Sequence, residues 1–72
     1  MYIDPIAINL RAIIEDRGLK QTAIAAKSGF TDQQFCDMLA GRKIIRAEYI
    51  PRIALAMGVT VSDIYAKVED AG

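Results

Sequence analysis

Glycines at positions 18, 29, 41 and 58 each close a run of helix-favouring residues, so this chain can be built only from short helices with tight stops. The first run opens at Asp4-Pro5, where an Asp side chain can accept an orphan N–H and proline lacks one. Ile6, Leu10, Ile13, Ile14 and Arg17 then fall at helical spacing, which predicts a helix over 5–17. Gln21 to Lys27 holds good helix formers with small side chains before Ser28-Gly29 ends it, giving a short second helix. Thr31 is an N-cap, and the charge of Asp32 suits a helix N-terminus, so a third helix is expected from there to about Ala40. Ile50, Ile53, Ala54 and Met57 mark a fourth, whose start Pro51 confines to about 47–50. Thr60-Val61-Ser62-Asp63 has capping-box spacing and opens a fifth, running through Ile64 and Tyr65.

No internal repeat, low-complexity segment or strand-like alternation of useful length interrupts this pattern. The expected fold is all-α, a bundle of five short helices forming one domain over residues 1–68, with 69–72 a frayed tail. Its core is expected from Ile6, Leu10, Ile13, Ile24, Phe35, Met38, Ile53, Met57, Val61 and Ile64.

Composition removes several function classes. Nine Lys/Arg balance nine Asp/Glu, so no global positive field exists and any polyanion must be met by a local arrangement of charge. Cys36 is the single cysteine and there is no histidine, which excludes an internal disulfide, Cys/His zinc ligation and Cys/His catalysis. With no phosphate-cradling glycine loop either, no enzyme, metal or cofactor is expected. The start, Met1-Tyr2-Ile3-Asp4-Pro5, has neither a basic stretch nor a long apolar run, so the expected compartment is the cytoplasm, with no membrane contact.

The densest chemistry lies between residues 20 and 46. Two short helices flank a Gly-containing turn, the outline of a motif whose second helix enters the DNA major groove. The segment Gln21-Thr22-Ala23-Ile24-Ala25-Ala26-Lys27-Ser28-Gly29-Phe30-Thr31-Asp32-Gln33-Gln34-Phe35-Cys36-Asp37-Met38-Leu39-Ala40-Gly41-Arg42 resembles the Cro and phage-repressor family, also called lambda-repressor-like or XRE-type. It carries that family's Gln, its Ile-Ala pair, its turn Gly, a hydroxyl residue opening the second helix and the closing Gly. Ile50-Pro51-Arg52-Ile53-Ala54-Leu55-Ala56-Met57-Gly58-Val59-Thr60-Val61 is similar to the family's fourth helix and the turn into its fifth. The matched positions have physical reasons: Ala25 is small where two helices cross closely, and Gly29 permits the positive φ of the tight turn.

The resemblance implies sequence-specific binding of double-stranded DNA by a small transcriptional regulator. It places Gln21 on a phosphate at a helix N-terminus, the bland alternative being a solvated glutamine. It puts Asp32, Gln33, Gln34 and Asp37 on the exposed face of the recognition helix. Gln33 is the best base-reading candidate, because Gln pairs bidentately with adenine N6 and N7. Two readings stand for each aspartate: a base contact, or a helix-terminus role for Asp32 and pairing with a nearby Arg or Lys for Asp37. Thr31 is an N-cap that can also meet a phosphate. Arg42, Lys43 and Arg46 follow the recognition helix where the family contacts the backbone, against the alternative of a solvated loop.

Three departures stand out. Lys20 replaces a capping Ser or Thr but can reach a phosphate. Leu39 and Ala40 replace a polar pair, which is expected to expose a leucine. Cys36 is read as packed and inert rather than as a redox switch. A homodimer through the fifth helix, with Val59, Tyr65 and Val68 in contact, would present two recognition helices to a pseudo-palindromic operator. No small-molecule ligand is expected. The competing reading keeps the fold but makes it a protein-interaction or antitoxin-like module, suggested by the neutral charge and the acidic recognition helix.

Overall fold

Asp4 accepts the backbone N–H of Ile6 at 2.9 Å, and Pro5 follows as the first helical residue, so the chain enters its first helix where proline needs no partner. The computed structural model describes residues 4–69, with side chains through residue 66. In order it comprises α1 (Pro5–Arg17), α2 (Gln21–Ser28), α3 (Asp32–Leu39), a single 3₁₀ turn (Ala47–Tyr49), α4 (Ile50–Met57) and α5 (Val61–Glu69). Pro51 lies in the first turn of α4, as its missing N–H requires. Among the described residues there is no strand, and no helix is long and apolar enough to cross a membrane.

The helices stop in one way. After α1, α2 and α4 a left-handed glycine is followed by an apolar residue whose N–H reaches back five positions: Leu19 to Ile14 O (2.9 Å), Phe30 to Ala25 O (2.9 Å) and Val59 to Ala54 O (3.0 Å). This satisfies orphan carbonyls and turns Leu19, Phe30 and Val59 inward, where each packs half-buried against the core. The stops thereby add to the core.

That core is closed by Leu10, Phe35, Met38, Ile53 and Ile64, all fully buried, one or two from each of α1, α3, α4 and α5. From α2 come Ile24 and Ala25; the methyl of Ala25 is fully covered, in keeping with a close helix crossing. α2 packs on both α4 and α3, and α5 closes against α1 and α4. The α1–α5 contact holds a buried polar link: Asn9, 5% exposed, donates Nδ2 to the Ile64 carbonyl at 2.8 Å. Charge patterning cannot reveal that link, because it joins residues 55 positions apart.

Three expectations need correction. Val61 is 37% exposed, since the apolar stripe of α5 leaves the core at the helix's first residue, and Ile6 only half enters it. Leu39 is 6% exposed, because it lies one turn after Phe35 and shares its inward stripe. α5 also continues past Tyr65 to Glu69; the rest of the expected frayed tail, residues 70–72, lies outside the described residues.

Candidate nucleic-acid interface

α3 is set by its ends. Thr31 Oγ1 accepts the N–H of Gln34 at 3.0 Å, and Gln34 Oε1 accepts the N–H of Thr31 at 2.9 Å, a reciprocal capping box. Asp32 occupies the first turn, where its charge complements the helix dipole. Gln34 is thus occupied through its oxygen, leaving its amide protons outward. At the far end the Asp37 carbonyl accepts the N–H of Arg42 (2.8 Å) and Lys43 (3.2 Å), so the basic loop turns back beside the helix.

Successive helix residues advance by about 100°, so Gln33 and Asp37 lie on one stripe of α3. They are bonded: Gln33 Nε2 donates to Asp37 Oδ1 at 2.9 Å. The same oxygen accepts Arg42 Nε at 3.1 Å, with the Arg42 side chain 64% and the Asp37 side chain 30% exposed. Of the two readings left open for Asp37, pairing with a nearby Arg is thus present in the free protein. Lys43 and Arg46 are exposed in the same loop, and Ile44 between them is 79% exposed.

On the neighbouring stripe, Cys36 and Ala40 line a shallow hollow with Leu39, Arg11 and Gln21. Gln21, the first residue of α2, therefore stands beside the exposed face of α3. Lys20 precedes it in extended conformation and gives α2 no side-chain cap, as its residue type implies. Arg11 was missed in the sequence, where nothing distinguishes it from any exposed helix cation. Cys36 is partly buried.

The angle between α2 and α3 is held by a residue outside both. Arg52 of α4 donates Nε (3.1 Å) and Nη2 (2.7 Å) to the Ser28 carbonyl at the end of α2. Its guanidinium lies 4.8 Å from the Phe30 ring centre and 5.7 Å from that of Tyr49, and the two rings meet edge to face at 5.0 Å. Gly29 sits under this clamp with φ +85°; a Cβ there would lie 2.6 Å from Arg52 Nη2.

A pair of helices joined by a clamped turn, with the second presenting an exposed polar stripe, is the geometry of a groove-reading motif. The sequence matches the Cro/C1-type HTH DNA-binding domain over residues 9–70. The chain belongs to that family. In shape this Cro/C1-type domain is similar to the crystal structure of the clp gene regulator ClgR from C. glutamicum, with a TM-score of 0.84 and 21% identity, covering 93% of this chain and 87% of that one. No curated protein matches the sequence. Membership makes the domain a binder of DNA, in a class that is not enzymatic.

The expected interface residues Lys20, Gln21, Thr31, Asp32, Gln33, Gln34, Arg42, Lys43 and Arg46 are all exposed. Of the expected dimer contacts, Tyr65 is exposed, Val59 is half-buried against the core, and the Val68 side chain lies outside the described residues.

Proposed function

We propose that this domain is a sequence-specific transcriptional regulator that lays α3 in the major groove of double-stranded DNA and acts in the cytoplasm. Residues 1–68 would form the whole DNA-binding unit. The observation that carries the reading is the exposed Gln33–Asp37 stripe of α3, flanked by Gln21 on one side and by the Arg42–Arg46 loop on the other. Gln33 reads a base edge, and Asp32, Gln34 and Asp37 border it. Gln21, Thr31, Lys20, Arg42, Lys43 and Arg46 hold the phosphates, and Arg11 joins them from α1.

Local charge suffices despite the neutral total. Four of the cations, Lys20, Arg42, Lys43 and Arg46, lie on the segments that flank α3. Pairing of two copies through α5, with Tyr65, Val68 and the edge of Val59 in contact, would set two recognition helices about 34–36 Å apart on a pseudo-palindromic site. Sedimentation over a dilution series tests the pairing: a mass that stays monomeric throughout refutes it.

Titrating a fluorescent duplex with the protein at several salt concentrations tests the DNA reading. Each neutralised phosphate adds about 0.9 to the slope of log affinity against log salt, so a slope of several is expected. A slope near zero, or equal weak binding to every duplex, refutes it and favours a protein partner.

A further inference from the structure

The Gln33–Asp37–Arg42 chain fixes more than a salt bridge. A carboxylate only accepts hydrogen bonds, so the NH₂ end of the Gln33 amide must face Asp37 Oδ1, and one of its two N–H groups is engaged there at 2.9 Å. Arg42 Nε, at 3.1 Å from the same oxygen, holds the carboxylate in place from the other side. What Gln33 has left to offer a ligand is one acceptor, Oε1, and one donor, the second N–H. In the major groove adenine shows N7 as acceptor and N6 as donor, which matches that pair. Guanine shows two acceptors, N7 and O6, and needs two donors. An unrestrained glutamine can turn its NH₂ to face both guanine acceptors; one tethered to Asp37 cannot.

We propose that Asp37 is a positioning residue for base selection: by holding Gln33 in one amide orientation it makes the domain prefer adenine to guanine at the base facing Gln33. This rests on Gln33 reading a base, as proposed above. Asp37 thereby acquires a reason to stand near phosphates that would otherwise repel it. Removing it should have two opposite effects, tighter binding overall and poorer discrimination.

The test uses the full chain and three variants, Gln33→Ala, Asp37→Ala and Asp37→Asn. Gln33→Ala first locates its base pair as the position of the selected duplex where preference relaxes. Each protein is then titrated against the duplex with A·T and with G·C at that position. Wild type should favour A·T by about 5- to 150-fold, the equivalent of one bidentate base contact. Asp37→Ala should bind the A·T duplex at least as tightly and lose most of that ratio. Asp37→Asn, whose side-chain oxygen can still accept from Gln33, should recover part of it. A purely structural role would weaken both duplexes alike. In the free protein, the hydrogen-bonded proton of the Gln33 side-chain amide should be distinct by NMR, vanish in Asp37→Ala and return in Asp37→Asn.

If Gln33→Ala relaxes one position but Asp37→Ala leaves the A/G ratio intact, the Asp37 proposal is overturned while base reading by Gln33 stands. A wild-type preference for guanine at that position likewise overturns it. If Gln33→Ala relaxes no position, base reading by Gln33 falls and the positioning role falls with it.

Discussion

Replacing Gly29 by alanine should be the most damaging single-methyl change in this domain. An L-residue held at φ +85° costs about 1–2 kcal/mol. The new Cβ would also lie 2.6 Å from Arg52 Nη2, so the guanidinium must withdraw from the Ser28 carbonyl and from the Phe30 ring. Hydrogen bonds from a charged donor contribute about 1.5–3 kcal/mol when sheltered; Arg52 is exposed, so the lower end, or about 1 kcal/mol, applies. The cation–π contact adds about 0.5 kcal/mol. The sum, about 2.5–3.5 kcal/mol, is most of what a domain of this size has, and at about 4–8 °C per kcal/mol it lowers Tm by at least about 10 °C. Gly18 is the control: its φ is +63° and a Cβ there meets nothing within 4 Å, so Gly18→Ala should cost only the backbone part. Thermal and urea unfolding of Gly29→Ala, Arg52→Ala and the double variant form a cycle. Once Arg52 is gone, Gly29→Ala should add only about 1–2 kcal/mol. Equal costs for Gly18→Ala and Gly29→Ala, with strict additivity to Arg52→Ala, would refute the clamp.

Asn9→Ala should destabilise by about 1–2 kcal/mol through loss of the buried bond to the Ile64 carbonyl, and hydrogen exchange should show α5 opening before α3; unchanged exchange in α5 would contradict this. The Asp63 carboxyl is held below its ordinary 3.8, first by the Thr60 backbone N–H, then by the Thr60 hydroxyl and, more weakly, by Arg17. Because the folded value is the lower one, its contribution is present above about pH 4 and is lost as pH falls through the folded value. A carboxyl titration by NMR should therefore have its midpoint below 3.8, moving back towards it in Thr60→Ala; a midpoint at or above 3.8 in the native protein would contradict the capping geometry. Arg42→Ala should weaken binding to all duplexes alike and lower the salt slope by about one, whereas a loss confined to one base pair would make it a base reader instead.

The helix order was legible because its signals are local. Asp4-Pro5, Thr31 with Gln34, Thr60 with Asp63 and the stop glycines act within a turn or two of themselves, and each is found in its expected role. The turn between α2 and α3 was legible for the same reason. What escaped notice acts across the chain: Asn9 to Ile64, and Arg52 to Ser28 at a separation of 24 residues. No spacing rule marks an asparagine as buried or an arginine as a clamp before the helices are packed. Leu39 is different, since its burial was readable from its place one turn after Phe35; weighing it by the polar residues common at that position obscured the periodicity. The exposed stripe of α3 was anticipated residue by residue. The bond that ties Gln33 to Asp37 lies at ordinary i, i+4 spacing, but only coordinates show Arg42 closing on the same oxygen.

The central claim is that α3 reads base sequence, and selection of bound duplexes from a random DNA pool tests it most directly. The predicted result is one enriched motif, two-fold related if the domain pairs, that binds the protein far more tightly than the unselected pool. A pool that enriches nothing and binds only at about 10⁻⁴ to 10⁻⁶ M would contradict it, leaving the stripe on α3 without a base to read.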